Sequence, residues 1–234
     1  MENRFSRTER IYGPAAAEKL AARRVAVFGL GGVGGYAVEA LARAGIGALD
    51  LVDHDIVSLS NFNRQILAAG RTLGQYKADA ARERVLDINP DCAVRAYKEF
   101  FLPETAGKWD FSQYDYIVDC VDTVTAKLML IEKAGQAGVP IISAMGTGNK
   151  KNPGLLRVSD LYETVVCPLA RVMRKECRKR GIEKLKVVWS PEEPTEPYDD
   201  PEEGLDPSVP GSTPFVPAVA GLLLAAEVVN DFMR

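Results

Sequence analysis

The sequence has few residues that bind metals or form disulfides. It contains four cysteines, none of them in a Cys-x-x-Cys pair, and a single histidine, His54. Structural zinc sites take four cysteine or histidine ligands at short spacings, so we expect no zinc site. The first residues lack the apolar stretch of a secretion signal, which together with isolated thiols favours a cytoplasmic protein.

A large charge imbalance and a long apolar run are also absent. The 234 residues carry a formal net charge of -3, so an anionic partner would have to bind a local basic patch. The apolar run at 216–226 is shorter than the roughly 20 residues that cross a bilayer. We therefore expect a buried helix there, in preference to a membrane contact.

Short apolar segments alternate with helical periodicity along the first 146 residues. The predicted strands are 25–28, 49–52, 92–97, 116–120 and 141–144. The predicted helices are 4–22, 33–44, 74–88 and one that Thr123 would cap. This alternation predicts an α/β, Rossmann-like fold with a mainly parallel sheet and helices on both faces.

The pattern changes after Gly146. Residues 146–154 are predicted to form a loop, and strands at 155–158 and 187–189 flank a basic helix at about 168–180. Residues 191–214, rich in Pro, Glu and Asp, predict a flexible or extended crossing before a closing helix at 215–232. With no repeat or clear boundary, we expect one domain, 1–234, with residues 146–234 as an added C-terminal part.

A glycine-rich turn follows the first predicted strand. Gly29, Gly31, Gly32 and Gly34 would let phosphate approach the backbone at the start of a helix. Asp53 ends the second strand, where a carboxylate would accept hydrogen bonds from ribose hydroxyls. On these residues alone, a nicotinamide or flavin dehydrogenase would be the simplest interpretation.

The polar residues that follow the second strand favour ATP instead. Asn61, Arg64, Gln65 and Lys77 all come before or at the start of the next helix, near the phosphate end of the predicted site. A triphosphate carries about four negative charges and needs cations, because positioning and charge neutralisation do most of the work in phosphoryl chemistry.

Five motifs then occur in a fixed order. They are Gly29–Gly34, Asp53-x-Asp55-x-Val57, Ser60-Asn61-x-x-Arg64-Gln65, Gly74-x-x-Lys77 and Asp119-Cys120-x-Asp122. Together they resemble the ubiquitin-activating-type (ThiF/MoeB-like) adenylyltransferases, which activate a carboxylate with ATP. The resemblance implies a nucleotide site that includes Asp55, with Asp53 on the ribose. It implies that Asn61, Arg64 and Lys77 bind the phosphates and that Asp122 binds Mg²⁺.

The first residues carry a further part of that resemblance. Arg4-Phe5-Ser6-Arg7 is similar to the stretch whose arginine enters the site of a partner subunit, and Arg7 is the matching position. The resemblance therefore implies a homodimer, with Arg7, Arg64, Lys77 and Asp122 as the catalytic residues.

The second half resembles a narrower branch, the tRNA threonylcarbamoyladenosine dehydratases. The matching stretches are Ala144–Lys150, Val158-x-Asp160, Cys167–Arg171, Val187–Ser190 and Gly211-Ser212-x-x-Phe215-Val216-Pro217. The resemblance implies ATP-dependent cyclisation, with loss of water, of the modified adenosine beside the anticodon. Two alternatives stay open: adenylation of a carrier protein for sulfur transfer, with a cysteine-desulfurase partner, and a nucleotide-binding scaffold without turnover.

Several residues after position 146 are candidates for other contacts. The candidate tRNA-binding residues are Lys150, Lys151, Arg171, Arg174, Lys175, Arg178 and Lys179, although such a run is also typical of a solvated helix face. Cys167 precedes a predicted helix, where a thiol pKa would fall, so it is either a reactive thiol or a small packed residue. The carbonyls of residues 146–152 are a candidate site for a monovalent cation (Na⁺ or K⁺).

Overall fold

Seven strands form one sheet in the computed structural model, which describes residues 3–102, 104–196 and 209–234. The strand order is β3-β2-β1-β4-β5-β7-β6, and only the β6–β7 pair is antiparallel. The strands are β1 (Arg24–Phe28), β2 (Ala48–Val52), β3 (Ala93–Tyr97), β4 (Tyr116–Asp119), β5 (Ile141–Ala144), β6 (Arg157–Asp160) and β7 (Lys186–Trp189). The predicted Rossmann-like α/β fold with a mainly parallel sheet is confirmed.

Helices cover both faces of this sheet. They are α1 (Ser6–Tyr12), α2 (Ala16–Ala21), α3 (Gly34–Ala44), α4 (Lys77–Ile88), α5 (Val124–Ala137), α6 (Pro168–Lys179) and α7 (Val216–Met233). Along β1, Val25 and Val27 face a core shared with α3, α4 and α7. The alternate residues Ala26 and Phe28 face a second core with α5, because successive strand residues point to opposite faces.

Two of the differences between predicted and observed elements have a glycine or proline cause. The helix predicted at 4–22 is two helices, because Gly13 adopts a φ of +93° and Pro14 follows it. The strand predicted at 155–158 starts two residues later, because Pro153–Leu155 forms a 3₁₀ turn first. Both differences come from proline and glycine effects on the local backbone.

Helix α7 fixes the C-terminal part to the first half of the chain. By length and composition alone it is apolar enough to cross a membrane, but half of its residues are buried within this protein. Gly221 lies so close to α3 that a Cβ there would be 2.2 Å from the Val33 carbonyl oxygen. Asp231 accepts hydrogen bonds from Tyr116 Oη at 2.8 Å and Lys186 Nζ at 2.6 Å. These contacts favour the predicted buried helix.

The C-terminal part also extends the sheet itself. Strand β7 pairs in parallel with β5, and β6 pairs with the outer side of β7. Of the crossing predicted at 191–214, residues 197–208 lie outside the described residues.

Candidate active site

A cavity of about 610 Å³ opens at the carboxyl ends of β1, β2, β4 and β5. In open parallel sheets, ligands bind at this edge, where the connections diverge to opposite faces. The cavity wall contains the glycine turn and residues of every motif between positions 29 and 122. The fold therefore brings together residues that lie far apart in the sequence.

The glycine turn requires glycine at two positions for steric reasons. Gly29 has a φ of +86°, and a Cβ there would lie 2.7 Å from the Cys120 carbonyl oxygen. A Cβ on Gly34 would lie 1.8 Å from the Gly29 carbonyl oxygen. Gly31 and Gly32 line the cavity just before α3, so the helix N-terminus faces the space where phosphate would lie.

Asp53, which directly follows β2, holds the glycine turn in place through a hydrogen bond. Its Oδ2 accepts a hydrogen bond from the Leu30 amide at 2.6 Å, and its Oδ1 accepts one from the Asp55 amide at 2.8 Å. The carboxylate is buried and lines the cavity. Each oxygen has a second lone pair, so the predicted contact with a ribose hydroxyl is compatible with this bracing.

Lys77 and Asp55 form an ion pair in the cavity wall. Lys77, the first residue of α4, is 5% exposed, and its Nζ lies 2.7 Å from Asp55 Oδ2. Asp55 Oδ1 lies 3.2 Å from Nε2 of His54, whose ring packs edge-on against Phe100. Asp55 therefore holds the Lys77 ammonium in position in the cavity wall. The resemblance implies that Asp55 belongs to the nucleotide site, but the sequence does not predict this ion pair.

Asn61 and Arg64 also line the cavity, as the motif predicts. Asn61 is buried, and its Oδ1 accepts a hydrogen bond from the Ser58 amide at 3.1 Å, which fixes the turn that carries it. The Arg64 guanidinium donates to the Ser60 carbonyl and to Asn63 Oδ1, both at 2.9 Å. Arg64 thus carries its charge at the cavity edge while bonded to its own turn.

Asp122 occupies the connection between β4 and α5. It is exposed, lines the cavity and makes no ion pair or side-chain hydrogen bond with the described residues. A carboxylate oxygen open to a phosphate-sized cavity is the type of ligand that Mg²⁺ prefers, so the residue fits the predicted metal role. Thr123 does precede α5, but its side chain does not cap the helix as predicted.

Arg7 lies apart from the other predicted catalytic residues. It is exposed on α1 and is not among the described residues that line the cavity of its own chain. The resemblance implies that this arginine acts in the site of a partner subunit, and its position outside the cavity of its own chain is compatible with that expectation.

One wall of the cavity belongs to the segment predicted to be a flexible or extended crossing. Residues 209–212 line it next to Gly148, where a Cβ would lie 2.9 Å from Pro210 Cβ. The Gly211 carbonyl accepts a hydrogen bond from the Asn149 amide at 2.8 Å, and the Ser212 carbonyl accepts one from Asn63 Nδ2 at 3.0 Å. This part of the predicted crossing is therefore a structural element of the cavity.

The predicted basic surface is only partly available for a ligand. Lys151, Arg171 and Lys175 are exposed. Arg174 is half-buried and donates to the carbonyl and hydroxyl of Thr164. Arg178 lies over the Tyr162 ring at 5.0 Å, and Lys179 pairs with Glu176 at 2.6 Å.

Lys150 was wrongly predicted to be a surface contact. It is 2% exposed, and its Nζ donates to the Ser190 carbonyl at 3.0 Å. Burial lowers the pKa of this ammonium group. A side chain enclosed in this way holds the loop against the end of β7 and cannot reach a phosphate on the surface.

The structure does not support the alternative that Cys167 is a reactive thiol. Its residue is 1% exposed, and its sulfur lies under the loop, 3.6 Å from the position that a Gly146 Cβ would take. Reactive cysteines are at least partly accessible, so the packed-residue alternative is favoured. Cys120 lies just beyond β4 instead of inside a strand and lines the cavity, and burial raises the pKa of its thiol.

The strand order and the glycine turn define a nucleotide-binding protein of the α/β class. Residues 5–231 match the ThiF family. The chain belongs to the ThiF family.

Characterised relatives match over the whole length of the chain. A tRNA threonylcarbamoyladenosine dehydratase of Bacillus subtilis is 40% identical and is aligned over 100% of this chain and 96% of its own. The Escherichia coli dehydratase TcdA, solved with AMP, has a TM-score of 0.90 at 33% identity and covers 98% of this chain and 94% of its own. TcdA solved with ATP has a TM-score of 0.89 at 32% identity over 98% of this chain and 93% of its own.

Proposed function

We propose that this protein is an ATP-dependent tRNA threonylcarbamoyladenosine dehydratase, acting on the modified adenosine beside the anticodon. The full-length similarity to the B. subtilis dehydratase is the observation that carries the proposal. An adenylyltransferase and sulfurtransferase from Aspergillus niger is aligned over only 54% of this chain and 26% of its own. The carrier-protein alternative therefore has weaker support.

The reaction has two chemical steps. An oxygen of the threonyl carboxylate attacks the α-phosphorus of ATP, and the bond to pyrophosphate breaks. A nitrogen or oxygen of the substrate's own ureido group then attacks the acyl carbon, the ureido group loses an N–H proton, and AMP leaves with the former carboxylate oxygen. The ring closure is intramolecular, so the enzyme needs to orient the substrate more than to supply a nucleophile.

The cavity residues support the first step electrostatically. Arg64 and Lys77 would neutralise the charge that develops on the departing pyrophosphate, with Asn61 and the glycine turn holding the phosphates. Asp122 would hold Mg²⁺, which when bound neutralises further phosphate charge. A monovalent cation on the carbonyls of residues 146–152 remains part of this proposal.

The active enzyme is proposed to be a homodimer of single-domain subunits. Several large apolar side chains are exposed near the cavity and on α7, which is typical of a surface that another protein covers. They are Leu59, Phe62, Phe215 and Leu222. Such an interface would allow Arg7 of one subunit to reach the cavity of the other.

The tRNA is proposed to bind through the exposed basic residues beside the cavity. Lys151, Arg171 and Lys175 have the exposure that phosphate contacts require. A tRNA substrate also makes the cytoplasm the expected compartment. With Cys167 buried, the proposal includes no sulfur-relay partner.

Mass spectrometry of tRNA nucleosides tests this function. Purified protein incubated with ATP and threonylcarbamoyl-modified tRNA is expected to convert the modified nucleoside to a product lighter by one water. The Asp122→Ala variant serves as the control and is expected to leave it unchanged. Pyrophosphate exchange stimulated by a small carrier protein, but not by tRNA, would instead support carrier activation.

A further inference from the structure

A valine with an unfavourable backbone conformation lies just before helix α6. Val166 has a φ of +62°, which is rare for a β-branched residue. The Cys167 amide donates to the Val165 carbonyl at 2.6 Å, so residues 165–167 form a tight three-residue turn. Backbone strain of this kind persists only where the surrounding structure enforces it, and it is commonly found at functional sites.

Buried residues hold this turn on both sides. Before it, Thr164 is buried, and its carbonyl accepts a hydrogen bond from the Arg174 guanidinium at 2.9 Å. After it, Cys167 is buried, and its carbonyl accepts one from the Arg171 amide at 3.0 Å, in the first turn of α6. The conformation of the turn is therefore fixed by its neighbours.

The turn exposes two apolar side chains to solvent. Val165 is 53% exposed and Val166 is 37% exposed, although the residues that flank them are buried. We refer to Val165 and Val166 as the valine turn. Packing within the described part of the chain does not explain apolar side chains exposed on a strained backbone, so the valine turn favours contact with another molecule.

The valine turn lies close to the cavity and to exposed cations. Leu169 lines the cavity, and its Cβ lies 3.7 Å from the position that a Cβ on Gly146 would take. Val166 precedes Leu169 by three residues, so their Cα atoms are at most about 11 Å apart. Arg171 and Lys175 are exposed on α6. The chemistry around the valine turn therefore suits an anionic partner with apolar surfaces, as a nucleic acid has.

The proposed reaction places a structural demand on such a partner. The threonylcarbamoyl group of one adenosine has to enter the cavity, whereas the bases of an RNA loop stack on their neighbours. Enzymes that act on a single base move it out of the stack, and apolar side chains inserted between bases can hold the stack open. A fixed pair of valines beside the cavity has the position and the chemistry for this role.

We propose that the valine turn inserts into the anticodon loop beside the modified adenosine and fills the space that this nucleotide leaves when it enters the cavity. The inference rests on the proposed function, since it takes tRNA as the substrate. Exposed cations such as Arg171 contact phosphates, whereas the valine turn contacts the faces of the neighbouring bases.

Fluorescence of 2-aminopurine, which rises when this base loses its stacking, tests the proposal. The probe is an anticodon stem-loop RNA that carries threonylcarbamoyladenosine with 2-aminopurine as an adjacent base. The unaltered full-length protein is expected to raise the fluorescence. Val166→Asn, which tolerates a positive φ but is polar, should raise it less. It should also lower kcat/KM for tRNA about 10-fold, the factor that corresponds to burial of one valine side chain.

Two measurements separate this role from a structural one. Calorimetric titration should show that Val166→Asn binds ATP like the unaltered protein, and thermal unfolding should show that it is no less stable, because asparagine is less strained at this φ. Val166→Gly, which adopts this φ freely, should give the same losses with tRNA.

Val172 provides a matched control on the same basic helix. It is 44% exposed, but it lies in the regular backbone of α6 and outside the valine turn. Valine and asparagine have similar helix propensities, so Val172→Asn makes the same chemical change without a large effect on the helix. It is expected to behave like the unaltered protein in the fluorescence and kinetic measurements.

Three results would overturn the inference. The first is normal fluorescence and normal kcat/KM in Val166→Asn, and the second is an equal loss in Val172→Asn. The third is a changed oligomeric state of Val166→Asn in sedimentation, which would show that a second copy of the chain covers the valine turn. Failure of the unaltered protein to dehydrate the modified tRNA would instead refute the proposed function.

Discussion

The Lys127 ammonium lies 3.1 Å from each carboxylate oxygen of Asp119, and both residues are fully buried. Lys127 also donates to the Ala144 carbonyl at 2.7 Å. The pair thus joins the carboxyl ends of β4 and β5, from which the connections containing Asp122 and Gly146 enter the cavity wall.

Breaking this pair is expected to destabilise the fold strongly. Lys127→Met leaves the Asp119 carboxylate buried without a counter-charge, which costs about 3–5 kcal/mol of unfolding free energy. Urea denaturation would measure it. Arg84→Met, at the partly exposed pair with Glu39, serves as the control, with an expected cost of about 1 kcal/mol. Equal losses in the two variants would contradict this account.

Arg7 and Asp122 are expected to work in the same site from different subunits. Arg7→Ala and Asp122→Ala homodimers should each be inactive. After the two are unfolded together and refolded in equal amounts, about a quarter of the sites carry both intact residues, so activity should return to about that level. Activity no higher than that of either parent would count against the assignment of Arg7 to a partner's site.

Lys77 is expected to contribute to adenylation through its charge. Lys77→Met should reduce ATP–pyrophosphate exchange about 100- to 1000-fold, the loss typical when one group that stabilises developing charge is removed. Lys98 pairs with Asp79 at 2.9 Å outside the described cavity wall, so Lys98→Met is the matched control and should exchange normally. A normal rate in the Lys77 variant would exclude it from catalysis.

The exposed basic residues are expected to determine the salt dependence of tRNA binding. Each of Lys151→Gln, Arg171→Gln and Lys175→Gln should reduce the slope of log affinity against log salt by about 0.7–0.9, the value for one lost phosphate contact. The buried Lys150 makes a useful comparison, since Lys150→Gln should leave the slope unchanged. Filter binding at several salt concentrations measures the slopes. If all four variants keep the slope of the unaltered protein, this surface does not bind tRNA.

Asp231 is expected to make stability depend on pH at acid values. Burial alone would raise the pKa of its carboxyl, but hydrogen bonds from Lys186 and Tyr116 outweigh that and lower it below the ordinary 3.8. A lowered folded pKa contributes stability above the unfolded pKa, and this is lost as pH falls through the folded value. Asp231→Asn should therefore cost about 1–2 kcal/mol at pH 7 and progressively less below about pH 4.

Denaturation at several pH values would measure that difference. Asp91, which is 88% exposed and reaches Arg4 only at 4.0 Å, supplies the control Asp91→Asn, expected to change little at any pH. A cost of Asp231→Asn that is the same at pH 3 and pH 7 would show that the ionised carboxylate is not what stabilises α7.

The sheet and the nucleotide end of the cavity were predictable because their signals are local. A strand that is buried on both faces, such as β1, is an unbroken run of apolar residues in the sequence. The end of this run is marked by Gly29. Lys127 also left a local signal, a single charge inside the apolar segment of α5. The sequence did not show that Lys127 pairs with Asp119, because the two residues meet only when the chain turns between β4 and α5.

Other features depend on contacts that no local pattern contains. The charge spacing on α6 could not show that Arg174 hydrogen-bonds to Thr164. The sequence of the loop before β6 likewise could not show that Lys150 is buried with its Nζ bonded to the Ser190 carbonyl. Composition likewise favoured a linker at Val209–Ser212, whereas hydrogen bonds to Asn63 and Asn149 make it a cavity wall. Such long-range pairings depend on tertiary packing more than on residue type.

The position of that wall has a consequence for synthesis of the protein on the ribosome. The glycine turn is translated long before the cavity residues Val209–Ser212 and the helix that carries Gly221 against Val33. A growing polypeptide that has not yet reached Val209 therefore lacks one wall of the nucleotide cavity. The cavity is complete only after this later segment has left the ribosome and packed against Asn63 and Asn149.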